Sequence, residues 1–228
     1  MSMGTWLDAA LLTRPPRLLH ALLPGCEWTG PRTTPAGAPV LYLTFDDGPI
    51  PEETPWVLEQ LAAFDAKATF FCVGENVARF PDIVRAALAA GHRLGNHTQQ
   101  HRSAWATARP EYLAGVAACQ AALAEAAPAR GGEAEPPRML FRPPFGRLTW
   151  PLLGALRPGF RVVMWSVLTR DYDPDLSPES CLRLTLAAVR AGDIIVFHDS
   201  LKASPRLRFV LPRLLAHFAE RGFQFSAL

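Results

Sequence analysis

Two carboxylates stand side by side in LTFDDGP, at Asp46 and Asp47, straight after the apolar run that starts at Val40. Adjacent like charges repel, so a neighbouring positive charge is needed to keep both ionised. Further on, NHTQQH sets His97 and His101 four residues apart. On a helical turn that spacing projects both imidazoles from one face. Two histidines and one carboxylate make a catalytic Zn²⁺ set with room left for water and substrate. The positive charge expected beside Asp46 and Asp47 is therefore one divalent metal ion, Zn²⁺ first, with Co²⁺ or another transition metal as its substitutes. One aspartate binds it and the other stays free and ionised beside it.

These residues must be brought together by the elements that carry them. Short β-rich runs alternate with helical stretches along the chain. The expected strands are VLYLTF (40–45), ATFFCV (68–73), HRLGN (92–96), RMLF (138–141), RVVMWSV (161–167), DIIVF (193–197) and FQFSA (223–227). Between them the signals predict a helix capped by Thr54 with Pro55 at its first position, and one from Pro81 closing at Gly91. An Ala-rich helix opens at Thr107 or Arg109 and runs to Ala126, and PARGGEAEPP (128–137) reads as a loop. Thr149 is expected to cap a short helix. Others run from Ser177 to Gly192 and from about Phe209 to Arg221.

Such alternation implies parallel pairing through right-handed crossovers. The fold class is α/β, and seven units suit a distorted (β/α)7 barrel; a doubly wound open sheet is the competitor. In a parallel barrel every strand ends on the same rim, where the site is built. Asp46 and Asp47, His97 and His101, Arg142, Asp171, His198 and Asp199 all follow expected strands. His198-Asp199 also reads as a buried polar pair, and Gly48-Pro49 simply as a turn. His92 precedes its strand and reads as structural, whereas His20 and His217 read as packing or surface residues.

Bulk properties bound the rest. With 228 residues, 49% of them apolar, the chain can build one substantial core. A net charge of +2 argues against nucleic acid and anionic membrane as partners. Cys26, Cys72, Cys119 and Cys181 are widely spaced and read as buried thiols, which suits a reducing compartment. Residues 1–39 are expected to pack on the domain formed by 40–228, a membrane-surface helix being the alternative for the N-terminal stretch. No transmembrane stretch and no secretory signal are visible, so the expected location is cytoplasmic, with peripheral attachment or export left open. Nothing in the sequence sets an oligomeric state.

TFDDGP, HTQQH, RPPFG, WSVLTRDY and IIVFHDS occur in this order. Together they resemble the five motifs of the polysaccharide deacetylases, carbohydrate esterase family four, from about Val40 to the C-terminus. The resemblance implies a distorted seven-stranded barrel and a metal-dependent hydrolase that removes N-linked acetyl groups. Its substrate would be an N-acetylated sugar: peptidoglycan, a chitin-like oligosaccharide or a glycoconjugate. It further implies that Asp46 is the base, braced by Arg142, and that Asp47, His97 and His101 hold the metal. His198 is then the acid, oriented by Asp171, while Trp165 and Val196 form the wall near the acetyl methyl. Phe145 stands where the family often has Tyr and keeps a backbone N–H for the oxyanion. Tyr172 stands in place of a common Trp, and Leu168 in place of a frequent aspartate. Trp105, Phe145 and Tyr172 could stack on sugar faces. The other readings are an amidase of the same fold on a non-sugar C–N bond, and a non-catalytic carbohydrate-binding barrel.

Overall fold

The computed structural model describes residues 13–127 and 138–228. The loop expected over 128–137 lies outside the described residues, as do the first twelve residues.

Strand β1 (Val40–Asp46) is buried along its whole length. It pairs in parallel with β2 (Ala68–Cys72) on one side and with β7 (Ile194–His198) on the other. Beyond β2 follow β3 (Arg93–Asn96), β4 (Met139–Phe141) and β5 (Phe160–Val162); β6 (Val167–Leu168) lies outside β7. A short β8 (Gln224–Phe225) pairs with the start of β1. All named pairings are parallel, so the strands end on one rim.

The expected fifth strand is broken. RVVMWSV contributes to β5 and β6, at opposite ends of the sheet, with residues 163–166 crossing the gap. Partners far away in sequence cause the break. The Val163 amide donates to Phe141, the Ser166 amide to Ile194, and Glu27 bonds in both directions with Val162 and Met164. The Gly30 amide then donates to the carbonyl of Gly192. Residues 27–30 therefore line the gap that keeps the barrel from closing on itself.

The helices are α1 (Arg17–Leu22), α2 (Thr54–Ala62), α3 (Gly74–Arg79), α4 (Pro81–Ala89), α5 (Arg109–Ala126), α6 (Trp150–Leu156), α7 (Pro178–Ala188) and α8 (Ser204–Ala219). Three depart from expectation. α3 was not anticipated. α7 stops at Ala188, short of Gly192. α8 begins at Ser204 rather than Phe209, because Pro205 fits the first turn, where its missing N–H costs nothing. Thr54 lies inside α2 and does not cap it; neither does the Thr149 side chain cap α6. Ser177 does cap α7, accepting from the Ser180 amide.

Strand alternation sorts the core. Leu41, Leu43, Phe45, Ile195 and Phe197 face outward, in one cluster with Val57, Leu61, Leu207, Leu211 and Leu214 from the helices. Val40, Tyr42, Phe71, Leu140, Val163 and Ile194 face inward. Each large side chain so buried contributes roughly 1.5–3 kcal/mol. The inward column of β1 runs Tyr42, Thr44, Asp46, and that of β7 runs Ile194, Val196, His198, so the apolar interior gives way to acid and imidazole at the rim. His92 is buried and accepts the Ala68 amide at 3.1 Å; burial pushes its pKa down to about 4. Cys72, Cys119 and Cys181 are buried, but Cys26 is only partly so, because it sits on the N-terminal segment at the edge of a smaller cluster. No helix among the described residues is long and apolar enough to cross a membrane.

Candidate active site

The β1–α2 turn fixes the two aspartates. Asp46 ends the inward column of β1, and Asp47 takes a left-handed backbone, φ 85°, which re-aims the chain. Asp199, one residue beyond β7, clamps this turn. Its Oδ1 accepts the Gly48 amide at 3.0 Å and its Oδ2 accepts the Thr54 hydroxyl at 2.6 Å. A Cβ at Gly48 would lie 2.1 Å from Asp199 Oδ2, so only glycine fits there. The Thr54 hydroxyl in turn accepts the Ile50 amide, and the Asn76 amide group donates to the Asp47 carbonyl at 2.8 Å. Burial pushes the Asp199 carboxyl up to about 8, against the hydroxyl and amide that favour its charge.

His97 and His101 are not on a helical turn. They flank a loop in which Thr98 and His101 both have positive φ, 67° and 53°. The carbonyls of Thr98 and Gln99 accept the first amides of α3, which holds the segment out of a helix. The loop nonetheless brings the two rings together, their centroids 5.0 Å apart. His97 Nδ1–H donates to the Arg142 carbonyl at 2.8 Å, which leaves the Nε2 lone pair facing the site. Burial pushes the His97 pKa down to about 4, so its ring is neutral.

Asp47 Oδ1 lies 3.8 Å from His97 Nε2 and 3.3 Å from His101 Nε2. One ligand atom from each of the three lies within 4.8 Å of the others. Asp47 Oδ1 is buried and has no hydrogen-bond partner. A buried, unpartnered carboxylate oxygen facing a neutral imidazole lone pair is costly without a cation, so the three residues fit a divalent metal ion.

Asp46 is engaged elsewhere. Its Oδ1 accepts from Arg142 Nη1 at 2.8 Å. Arg142 is wholly buried; it also donates to Thr44 Oγ1 and to the carbonyls of Val163 and Met164, and its guanidinium lies 4.1 Å from the Phe71 ring centroid. Burial alone would raise the Asp46 pKa; the Arg142 charge, helped by that of His198, outweighs it and holds the carboxyl below the usual range.

His198 ends β7, beside Asp46 in register. Asp171, fully buried, accepts the His198 amide on Oδ2 and pairs its Oδ1 with Nδ1, each at 2.8 Å. Burial opposes a charged His198, but the Asp171 carboxylate prevails and raises its pKa to about 9. Arg206 holds the Asp171 carbonyl from α8 at 2.6 Å.

Phe145 (φ 60°) is exposed, with its ring 4.6 Å from that of His101. The Gly146 and Arg147 amides close the turn onto Pro143 and Pro144, and the Phe145 amide takes no part in either bond. Trp165 packs under Gly146, where a Cβ would meet its ring at 2.4 Å. Tyr172 stands edge-on to His198 at 5.1 Å. Val196 is buried, one step below His198 on the inward face of β7. Asp46, Asp47, His97, His101, Arg142, Asp171 and His198 thus converge, with Phe145, Trp165 and Tyr172 around them. Asp199, Thr54 and Asn76 were missed as positioning residues. For Asp199 a signal existed, since an acid at a strand end beside other acids needs its own donors.

The profile of the polysaccharide deacetylase family matches residues 33–157. The chain belongs to this family. It is 35% identical over 214 residues to the chitooligosaccharide deacetylase of Sinorhizobium fredii, covering 86% of this chain and 95% of that protein. It is 31% identical over 198 residues to a peptidoglycan-N-acetylglucosamine deacetylase of Bacillus cereus, covering 82% and 68%. Among solved structures it resembles the Bc1960 peptidoglycan N-acetylglucosamine deacetylase, with a TM-score of 0.77, 28% identity and coverage of 92% and 93%. The incompletely closed parallel barrel is therefore the barrel of this deacetylase family.

Proposed function

We propose that the protein hydrolyses the acetamide of an N-acetylated sugar, a chitin-like oligosaccharide, peptidoglycan or a glycoconjugate. Residues 40–228 act as the catalytic domain in this reading. The observation that carries it is the gathering, around the Asp47–His97–His101 trio with its unpartnered Asp47 Oδ1, of a carboxylate kept ionised and an imidazole kept protonated. The names of the relatives support the substrate class.

The chemistry supplied at the trio by a bound divalent ion, Zn²⁺ first, is Lewis acidity toward water and the acetyl oxygen. Asp46, ionised beside Arg142, takes a proton from the attacking water. His198 delivers a proton to the departing sugar nitrogen. Its Nδ1 is held by Asp171, so Nε2 is the atom that donates. Each such proton transfer is typically worth about 10²–10⁴-fold in rate. In this reading the Phe145 amide donates to the acetyl oxygen as negative charge builds, a contribution of about 3 kcal/mol for one donor. Trp165 and Tyr172 narrow the space around the acetyl group and exclude water from it.

Acetate release from a panel of N-acetylated sugars, with and without chelator, tests the reading. Release that stops on chelation and returns with Zn²⁺ is expected. Release from none of the sugars, or release indifferent to chelator, contradicts it.

A further inference from the structure

Among the described residues, the large aromatic side chains left exposed are Trp105, Phe145 and Trp150. All three lie on or directly after the loops that follow β3 and β4, and the Phe145 ring lies against His101 of the trio. Trp105 is 66% exposed and Phe145 59%. Apolar area so large, gathered at one place beside a site, is unusual on a surface that meets only water.

The patch is also held in shape. The Trp105 indole N–H donates to the Leu148 carbonyl at 3.3 Å, tying the two loops together. Ala104 and Leu148 anchor them in one buried cluster with Phe141 and Leu152. Gly146 sits flat against Trp165. Between the two exposed rings stands Arg147, its guanidinium carbon 5.0 Å from the Trp105 centroid and 5.6 Å from that of Phe145. Arg102, three residues before Trp105, is occupied by Glu111. Arg147 has no carboxylate in salt-bridge contact among the described residues. An arginine stacked between aromatic faces keeps its planar donor edge free for a carboxylate. Because the rings and the guanidinium are already placed, a ligand spends little ordering them.

We propose that Phe145, Arg147 and Trp105 form a second sugar subsite, for the unit next to the one being deacetylated, and that Arg147 selects a neighbour bearing a carboxylate. This rests on the N-deacetylase reading and narrows it from any N-acetylated sugar to an acidic glycan chain. The apolar faces of the neighbouring ring lie on Trp105 and Phe145, and its carboxylate meets the Arg147 edge. Glycan units that offer that group include N-acetylmuramic acid, where its lactyl carboxyl is free of peptide, and a uronic acid.

The test is calorimetric binding to full-length Asp46→Asn protein, which holds turnover down, using three disaccharides: N,N′-diacetylchitobiose, N-acetylglucosamine linked to N-acetylmuramic acid, and N-acetylglucosamine linked to glucuronic acid. At least one acidic disaccharide should bind roughly threefold to tenfold more tightly than chitobiose, and the one that does identifies the source of the carboxylate. Adding Arg147→Gln should erase that preference, and so should high salt. Adding Trp105→Ala should weaken all three disaccharides by roughly threefold to tenfold. Equal binding of acidic and neutral sugars, a preference that survives Arg147→Gln, or no sugar binding at all overturns the proposal. Acetate release by the wild-type protein from the same sugars reports separately on the N-deacetylase reading, so the two can fail independently.

Discussion

At the scale of single residues, two like pairs of groups are set to opposite charges by what surrounds them. Asp46 is ionised because Arg142 outweighs its burial, and His198 is protonated because Asp171 outweighs the same penalty. The pH consequences follow from the second pair. The His198 pKa stands raised from 6.5 to about 9, so its proton is available for donation below about pH 9 and is lost above it. The activity kcat/KM should fall on the alkaline side with an apparent pKa near 9, and Asp171→Asn should move that limb downward while lowering the rate at neutral pH by roughly 100-fold or more. A pH profile of the variant that superimposes on the wild type would show that Asp171 does not tune the acid. By linkage, the raised pKa means that the Asp171–His198 pair stabilises the fold fully below about pH 6.5 and ceases to do so as pH climbs through about 9. The seven groups of the site, the trio included, were legible from residue types that follow apolar runs. Asp199 was not read as a clamp, because its partners Gly48 and Thr54 lie 151 and 145 residues away and no local pattern points to them.

At the scale of elements, the site depends on turns that ordinary residues resist. Asp47, Thr98, His101 and Phe145 all hold left-handed backbones, a conformation that costs of order 1–3 kcal/mol for each residue and persists only when neighbours enforce it. For the β1–α2 turn the enforcer is Asp199. Thr54→Val removes the hydroxyl that Asp199 and the Ile50 amide share, and should cost about 1–3 kcal/mol in a denaturant melt. Gly48→Ala forces a Cβ onto the same carboxylate and should cost as much or more, with activity falling further than stability because Asp47 moves. Wild-type melts and rates for both variants would remove Asp199 from the account. The same scale explains two misreadings. His97 and His101 do share one face, but through a loop whose carbonyls cap α3, and a four-residue spacing looks alike in both cases. RVVMWSV is apolar from Val162 to Trp165 and carries no turn residue, so its sequence reads as one strand. The break is imposed by Glu27 and Arg142, which take up backbone groups at 162–164 from elsewhere in the chain.

For the whole molecule, the alternation of strands and helices made the barrel and its single rim legible, while its closure was not. The gap between β5 and β6 is filled from residues 27–30, and Glu27 adds a two-bond ion pair to Arg161 at 2.8 and 2.7 Å. Removing the chain before Pro31 should therefore unpair carbonyls of Val162 and Gly192 and lower stability by at least about 2 kcal/mol, read as a drop in Tm. An unchanged Tm would mean that the gap needs no filling. What unites the three scales is the proposal that one divalent ion sits at Asp47, His97 and His101, with Asp46 beside it as the base. The most direct measurement is the metal content, after dialysis against limiting Zn²⁺, of the wild type, Asp47→Ala and Asp46→Asn, with acetate release recorded on each. Asn at 46 retains an acceptor for Arg142, so that variant should keep one equivalent of metal and lose about 10²–10⁴-fold in rate, whereas Asp47→Ala should lose both metal and activity. Full metal content in Asp47→Ala, or loss of the metal in a folded Asp46→Asn, would contradict the assignment of the two aspartates.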